Sequence, residues 1–322
     1  MPGIAVISNP NTKRNRGTSD LARRMRALLG ADGVVLETKT VDNVPDAVSA
    51  CLGRRAEILA VNGGDGTLHA VVTALIPAYA KAGKTLPPIA LLRGGTMNTI
   101  AKSMRTMAGA PLSILGRLAE KHRRGEPCRM VERHALDLNG GAEYGFLFGM
   151  GLPVNFLRAY YEGKGRGPAK ATEVLGRVLA SALTGGAYAR AIFSPIPASV
   201  SLDGGERVRR PYRAIMAATI TEVGLGFAPF RRTLDKLGHF QIIAAAESPL
   251  RIAAQIHRIY RGARVSGDVL DELVKESRIE TEGDADYMID GEIKRGGRRF
   301  VLRAGPRLRF VVGRGPARRT AS

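Results

Sequence analysis

The residues best suited to chemistry lie in a glycine-rich stretch, Gly63-Gly64-Asp65-Gly66-Thr67, directly after the apolar run at residues 58–61. Glycine has no Cβ, so the backbone N–H groups of such a loop can approach a phosphate closely. The apolar residues from Leu68 onward predict a helix, whose N-terminus would add free N–H groups and a positive dipole end. Asp65 would offer a carboxylate to a Mg²⁺ ion that accompanies the phosphates. The alternative is a strand-to-helix turn whose glycines serve only its geometry.

A second loop of this kind follows the apolar run at residues 88–92 and contains Gly95, Thr96 and Asn98. In an open parallel sheet, ligands bind beyond the carboxyl ends of the strands, which meet at one edge. The polar turn that begins at Asn9 also follows an apolar run, so all three turns are expected at that edge. Two such loops indicate a phosphate site more specifically than one loop does.

The first 130 residues alternate between short apolar runs and helical patterns. Strands are predicted at 3–8, 34–40, 58–61 and 88–92. Helices are predicted at 19–29, 44–52 and 68–81, and from about residue 100. Such alternation is typical of an α/β domain with a doubly wound, mostly parallel sheet.

From about residue 130, turns instead of helices separate the short apolar runs, which predicts a mainly antiparallel β-sandwich. Two amphipathic helical insertions, at 172–184 and 249–264, are expected to pack on the sandwich, with a membrane surface as the alternative. We therefore predict an α/β domain at 1–130, a sandwich domain at 131–300, and a returning strand with a basic tail at 301–322.

The formal net charge of +20, with no tryptophan, is the strongest compositional signal. A surface this basic attracts polyanions, namely nucleic acid, nucleotide phosphates or an anionic membrane. No helix-turn-helix, zinc-finger or aromatic stacking pattern accompanies the arginines, so nucleic acid is not expected as a partner. Arginine-rich genome composition is the alternative source of part of the charge.

The basic charge predicts peripheral attachment to an anionic membrane surface, and the remaining composition predicts a cytoplasmic protein. Cys51 and Cys128 are too few for a disulfide framework and lack the spacing of zinc ligands. No apolar run reaches the length of about 18 residues that a membrane span requires. The N-terminus also lacks the pattern of a signal peptide. The composition does not distinguish a monomer from a homodimer.

The order of four motifs resembles the diacylglycerol kinase catalytic-domain family, which includes soluble bacterial lipid kinases, sphingosine kinases and ceramide kinases. These motifs are Asn9-Pro10, Gly63-Gly64-Asp65-Gly66-Thr67, Gly95-Thr96-Met97-Asn98 and Asp290-Gly291-Glu292. The second motif is shared with NAD kinases, whereas the later two are specific to the lipid kinases. The resemblance implies a two-domain architecture with ATP and Mg²⁺ in the cleft between a nucleotide-binding domain and a lipid-acceptor sandwich. By composition, Asp290-Gly291-Glu292 is also a hairpin turn.

The resemblance further implies roles for particular residues. The nucleotide site would contain Asn9, Lys13, Thr40, Gly63, Gly64, Asp65, Gly66, Thr67, Gly95, Thr96 and Asn98. Thr38 is the alternative to Thr40. Lys13, with Arg14 and Arg16, would neutralise the transferred charge, which is the main electrostatic task in phosphoryl transfer.

Catalysis would depend on Asp65 and Glu292, with Glu292 as the general base that takes the proton of the lipid hydroxyl. Asp65 and Asp137 would contact the metal, directly or through water. The alternative for Asp137 is a solvated acid at a strand edge.

Four residues, at three places in the chain, depart from the family pattern. His69-Ala70 replaces an Asn-Glu pair, Thr99 replaces an acid near the metal, and Leu237 replaces the aspartate of a structural magnesium turn. The change at Thr99 places more of the metal chemistry on Asp65, and the structural ion is not expected.

These inferences predict an ATP- and Mg²⁺-dependent kinase that phosphorylates a primary hydroxyl of a membrane lipid, either diacylglycerol or a sphingoid or ceramide lipid. An NAD kinase-like enzyme is the alternative enzyme, although no Asn-x-x-Asp pair follows the first glycine motif. A catalytically weak protein that binds nucleotide or anionic lipid is the alternative without turnover, and a nucleic-acid binder is the third.

Overall fold

The computed structural model describes residues 3–12, 14–15, 20–165 and 167–313. These residues form two compact units. Unit 1 comprises the described residues within Met1–Arg133 and Leu308–Ser322, and unit 2 spans His134–Arg307. Compactness alone does not test the predicted domain ranges, which stay predictions.

Unit 1 is built on a parallel sheet in the order β2-β1-β3-β4. Its strands are β1 (Ile4–Ser8), β2 (Gly33–Glu37), β3 (Ile58–Asn62) and β4 (Ile89–Leu91). Its helices are α1 (Leu21–Leu29), α2 (Val44–Gly53), α3 (Asp65–Lys81), α4 (Thr99–Ser103) and α5 (Pro111–Arg123). The predicted α/β fold with a parallel sheet is confirmed.

Apolar periodicity explains how this sheet is covered. Leu21, Met25 and Leu29 recur every four residues, so α1 buries one stripe and packs with α5 on one face of the sheet. Helices α2 and α3 pack against each other and contact β1 and β3. Helix α3 begins at Asp65 and continues past Pro77 to Lys81, because one proline removes a single backbone hydrogen bond that the rest of a long helix outweighs. Helix α5 was not predicted.

The strands that follow are β5 (Met130–Leu138), β6 (Glu143–Gly145), β7 (Leu147–Gly151), β8 (Ile196–Leu202), β9 (Val208–Tyr212), β10 (Ala214–Ala218), β11 (Phe240–Ala245), β12 (Val269–Val274), β13 (Glu276–Thr281), β14 (Tyr287–Ile289), β15 (Glu292–Lys294) and β16 (Arg299–Val311). The helices of unit 2 are α6 (Leu152–Tyr161), α7 (Pro168–Leu183), α8 (Ala187–Ile192), α9 (Pro249–Ala254) and α10 (Ile256–Arg261). Within unit 1, Phe310 of β16 pairs in parallel with Ile89 of β4.

Unit 2 contains the predicted antiparallel sandwich. One sheet has the order β12-β11-β10-β7-β14-β15. The other is formed by β13, β8 and β9 together with β5, β6 and the first residues of β16. Side chains from both sheets, among them Phe148, Phe240, Ile279 and Phe300, form one buried cluster. Alternation along each strand directs these apolar residues to the interior.

The helices of unit 2 add a second apolar cluster, in which Val174 and Val178 of α7 pack with Ile252 of α9 and Ala245 of β11. The predicted insertion at 172–184 corresponds to α7. The predicted insertion at 249–264 divides at Gln255 into α9 and α10, and α10 has no buried residue. Helices α6 and α8 were not predicted. Among the helices of the described ranges, none has the length and apolar character that crossing a bilayer requires.

Candidate active site

The first glycine-rich loop joins the buried strand β3 to helix α3. A Cβ on Gly63 would lie 2.3 Å from the Cβ of Thr67, so any larger residue would displace the start of the helix. The first helical hydrogen bond runs from the N–H of Leu68 to the carbonyl of Gly64, at 3.1 Å. The N–H groups of Asp65, Gly66 and Thr67 therefore have no intrahelical partner. Such N–H groups, at the positive end of a long helix, can bind an anion.

The second glycine-rich loop touches the first through its backbone. The N–H of Gly95 donates to the carbonyl of Gly63 at 3.0 Å. A Cβ on Gly95 would lie only 2.3 Å from the Cα of Gly64. The sheet register brings these loops together, since Val61 of β3 pairs with Leu91 of β4. The expected proximity of the two loops is therefore a product of the fold.

The turn after β1 reaches the same place. The N–H of Asn9 donates to the carbonyl of Asn62 at 2.9 Å, and the Asn9 side-chain amide donates to the Thr67 hydroxyl at 3.2 Å. Two of the predicted nucleotide-binding side chains thus contact each other directly. Because the Thr67 oxygen accepts this bond, its own proton can be donated to a ligand.

Two buried asparagines near the loops were missed by sequence reasoning. Asn62 and Asn15 are 0% and 4% exposed, and a Cβ on Gly94 would lie 2.6 Å from Oδ1 of Asn62. Asn62 donates to Oγ of Ser8 at 2.9 Å, and Asn15 donates to the carbonyl of Asn9 at 2.7 Å. A polar residue at the end of an otherwise apolar strand was a signal that could have identified Asn62.

Asp65 connects the two glycine motifs. Its Oδ2 accepts the N–H of Thr99 at 2.9 Å, and its Oδ1 accepts the N–H of Ile100 at 3.1 Å. The carboxylate thereby caps helix α4, which begins at Thr99. Burial raises the pKa of Asp65, while the two N–H groups and nearby Lys102 act to lower it. The Thr99 hydroxyl adds a third hydrogen bond, so one of the four acceptor positions of the carboxylate is left for a cation.

The residues between the second loop and α4 hold a tight turn. Asn98 is buried in the left-handed conformation, with φ of 48°, and its side-chain amide donates to the carbonyl of Gly95 at 2.8 Å. Arg93 also has a positive φ, and its guanidinium donates to the carbonyl of Thr106 at 2.7 Å. Thr96 lies between them and is half-buried. Asn98 therefore shapes the loop through the bond to Gly95.

The predicted nucleotide-site residues that follow β1 and β2 have weaker connections to the glycine-rich loops. Thr40 is exposed, and its hydroxyl lies 3.1 Å from Oδ1 of Asn43, as the N-cap of a short 3₁₀ helix. Thr38, the alternative, is 2% exposed, and its N–H donates to the carbonyl of Ser8 at 2.9 Å. Lys13 and Arg16 lie outside the described residues.

Arg14 places a cation beside the second loop. Its backbone N–H donates to the carbonyl of Gly94 at 3.2 Å, and its guanidinium donates to the carbonyl of Arg93 at 3.4 Å. The side chain is exposed. Of the three predicted cations after the first turn, it is the one the structure describes.

Asp290-Gly291-Glu292 forms the predicted hairpin, between β14 and β15 in unit 2. Asp290 and Gly291 have φ of 50° and 88°, the two positive values of a type I′ turn. Oδ1 of Asp290 accepts the N–H groups of both Phe146 and Leu147, each at 2.9 Å. Glu292 is exposed and has no ion-pair partner among the residues described. Its carboxylate is therefore accessible to a reactant.

Asp137 lies on β5 in unit 2, and its Oδ1 accepts the N–H of Gly141 at 2.6 Å. The residue opposite in the hairpin register is Tyr144, whose pKa is raised by burial and by the charge of Asp137. Asp137 thus holds the turn between β5 and β6. Across the described ranges, no three His, Cys, Asp or Glu side chains are grouped closely enough to hold a metal ion. The metal role of Asp137 stays a prediction.

Comparison with known proteins gives a consistent result. Residues 3–128 match the sequence model of the diacylglycerol kinase catalytic domain. The crystal structure of a diacylglycerol kinase from Bacillus anthracis str. Sterne aligns with a TM-score of 0.64 over 97% of this chain and 97% of its own, at 13% identity. A second protein of that strain, provisionally described as a diacylglycerol kinase, aligns with a TM-score of 0.69 over 97% and 96%, at 16% identity.

A search of curated proteins finds no match to the chain. The resemblance inferred from the motifs is confirmed for residues 3–128, and the structural matches show that the fold is shared over nearly the whole chain.

Proposed function

We propose that this protein is an ATP-dependent kinase that transfers the γ-phosphoryl group to a primary hydroxyl of a membrane lipid. The observation that carries the proposal is the backbone contact between the two glycine-rich loops at Gly64 and Gly95, next to the N-terminus of α3. A Cβ on Gly63 would clash with the Thr67 side chain, and one on Gly95 would clash with the Cα of Gly64. Only glycine therefore lets the two loops pack this closely beside the free N–H groups of α3, where a phosphate chain could bind.

The phosphates of ATP would accept hydrogen bonds from the N–H groups at the start of α3 and from the Thr67 hydroxyl. Arg14 would offset part of their charge. Mg²⁺ in kinase sites usually keeps several waters and needs only one or two carboxylates. Asp65 fits that requirement through the acceptor position that its three hydrogen bonds leave unused. The ion would supply neutralisation of the phosphate charge when it is bound.

We assign the acceptor chemistry to Glu292. The lipid hydroxyl gives its proton to this carboxylate while its oxygen bonds to the γ-phosphorus, and the bond from that phosphorus to the bridging oxygen of ADP breaks. The products are a phosphorylated lipid, ADP and the proton on Glu292. This step needs an ionised carboxylate within hydrogen-bond reach of the hydroxyl. The exposure of Glu292 and the buried anchor at Asp290 support the assignment.

Radiolabelled ATP and mixed vesicles that each carry diacylglycerol, sphingosine or ceramide test this proposal. We expect label in one lipid product, with dependence on Mg²⁺. Transfer to none of these lipids would refute the proposal. A parallel reaction with NAD as acceptor identifies the alternative enzyme, since label in NADP without label in lipid assigns the glycine loops to an NAD kinase-like activity.

A further inference from the structure

Exposed apolar side chains are concentrated in one segment of unit 2. Among the described residues, eight large apolar side chains are strongly exposed, and four of them fall between residues 234 and 260. These are Leu234, Leu237, Leu250 and Tyr260, with exposures of 42%, 70%, 51% and 49%. Single exposed apolar residues need no explanation, whereas a cluster of them commonly marks an interaction surface.

Contacts bring the two ends of this segment together. The N–H of Ala228 donates to the carbonyl of Tyr260 at 3.3 Å, and the rings of Phe227 and Tyr260 are 5.1 Å apart. A Cβ on Gly262 would lie 2.6 Å from Cγ of Arg231, the first residue of the short helix that ends at Leu234. The end of α10 and the segment that carries Leu234 and Leu237 are therefore neighbours.

The same surface is rich in cations. Residues 228–264 contain seven Lys and Arg residues against two Asp and Glu residues. Arg232 and Arg264 pair with Glu272. Exposed cations without an acidic partner within the part of the chain that the structure describes are Arg231, Lys236, Arg258 and Arg261. We call these four cations, with Leu234, Leu237 and Tyr260, the Arg/Leu surface.

This combination selects one kind of partner. Aliphatic side chains that project among unpaired cations match a bilayer, in which the leucines enter the acyl region and the cations stay among anionic headgroups. A nucleic acid would leave the leucines without a complementary group, because its sugar-phosphate surface is polar. Helix α10 packs Ile259 against the second apolar cluster but fully buries no residue, so its outer face is available for an interfacial contact.

We propose that the Arg/Leu surface docks unit 2 on an anionic phospholipid bilayer. The choice of partner follows the proposed lipid acceptor, but the contact itself requires neither ATP nor an acceptor lipid. Binding and turnover can therefore fail separately.

The absence of tryptophan from the sequence allows a direct test. In Leu237→Trp, the full chain carries a single indole, which replaces the most exposed leucine of the Arg/Leu surface. Addition of phosphatidylglycerol vesicles, without nucleotide, should shift its emission to shorter wavelength, and phosphatidylcholine vesicles should not. Leu183→Trp, at the exposed end of α7, is the matched control and should not respond. Leu234→Trp provides a second reporter if the first variant folds poorly.

Charge removal tests the same surface independently. Each cation near an anionic leaflet contributes about fivefold to partitioning, so Lys236→Gln with Arg261→Gln should lower the vesicle partition coefficient about thirtyfold. Lys81→Gln with Lys84→Gln removes the same charge from an exposed part of unit 1 and should change it less than about twofold. Equal losses in the two double variants, an equal response of the two tryptophan reporters, or a response to duplex DNA but not to vesicles would overturn the proposal.

Discussion

Two Asp-Gly pairs, one in each unit, use their aspartates in similar ways. Asp65 accepts the N–H groups of two consecutive residues that begin α4, and Asp290 accepts those of two consecutive residues that lead into β7. Each aspartate thereby fastens its turn to a segment far away in sequence. In both motifs the aspartate therefore serves first to position a distant segment. The groups beside it, namely the free N–H groups of α3 and the carboxylate of Glu292, are the ones accessible to reactants.

The two pairs differ in the groups that come after the aspartate and in how its oxygens are used. Asp65 divides the two N–H groups between its oxygens and is the first residue of α3, whose free N–H groups suit an anion. Asp290 receives both N–H groups on one oxygen and precedes the exposed carboxylate of Glu292, which suits a proton acceptor. After their roles in the proposed reaction, we call Gly63-Gly64-Asp65-Gly66-Thr67 with Gly95 the donor motif, and Asp290-Gly291-Glu292 the acceptor motif.

The largest effect should come from the acceptor motif. Glu292→Gln removes the proton acceptor, so we expect kcat for lipid phosphorylation to fall by about 10²–10⁴-fold, because that is the usual contribution of a general base. The melting temperature should hold, since the side chain is exposed. Glu162→Gln, at another exposed acid of unit 2, is the control and should keep full activity. Unchanged kcat in Glu292→Gln would remove this residue from the mechanism.

The donor motif should respond through nucleotide affinity. Gly95→Ala places a methyl group 2.3 Å from the Cα of Gly64 and must push the two loops apart. Overpacking of this kind costs about 1–3 kcal/mol, so calorimetry should show the Kd for ATP raised by about tenfold to a hundredfold.

Two other glycines serve as controls for that measurement. Gly176→Ala, where a Cβ meets nothing within 4 Å, should leave the Kd unchanged. Gly291→Ala strains the acceptor hairpin, whose φ is 88° at this position, and should lower stability but not ATP affinity. Equal ATP affinity in Gly95→Ala and the wild type would contradict the assignment of the donor motif.

A smaller effect separates the two aspartates. An asparagine at 290 can keep both N–H bonds on its single oxygen, whereas an asparagine at 65 must present an NH₂ group to one N–H. Asp65→Asn should therefore lose about 1 kcal/mol more unfolding free energy than Asp290→Asn does. Urea titration of both variants measures this difference. A greater loss at Asp290 would show that the oxygen-sharing geometry does not govern their stability.

The smallest effect concerns a carboxylate held by side chains instead of by backbone. Hydrogen bonds from Arg303 and Arg278 lower the pKa of Glu276, the opposite direction from Asp65. Stability from a lowered pKa is present above the unfolded pKa of 4.5 and is lost as pH falls through the folded pKa. The advantage of the wild type over Glu276→Gln should thus shrink between about pH 5 and pH 3 in urea titrations. An advantage that grows on acidification would contradict this account.

Much of the donor motif could be predicted from the sequence because its causes are local. A run of glycines after an apolar strand is enough to predict a tight, backbone-lined turn, because glycine has no Cβ. Asp290-Gly291 is likewise enough to predict a hairpin turn, because aspartate and glycine both tolerate positive φ. The capping role of Asp65 depends on Thr99 and Ile100, which are 34 and 35 residues away, so no local pattern reveals it.

Other features escaped prediction because tertiary packing decides them. Helix α10 has the same kind of amphipathic pattern as α7, yet α7 buries four residues whereas α10 buries none and packs Ile259 only partly. The short helices α6 and α8 gain their stability from the apolar cluster around Phe193, to which distant strands contribute.

The most direct test of the proposed division between donor and acceptor motifs is transfer of label from γ-labelled ATP into vesicle lipid, measured for the wild type, Gly95→Ala and Glu292→Gln at subsaturating and saturating ATP. We predict transfer by the wild type, recovery of Gly95→Ala at saturating ATP, and no recovery of Glu292→Gln. A wild type that transfers no label to diacylglycerol, sphingosine or ceramide, or a Glu292→Gln variant that saturating ATP restores, would contradict the account.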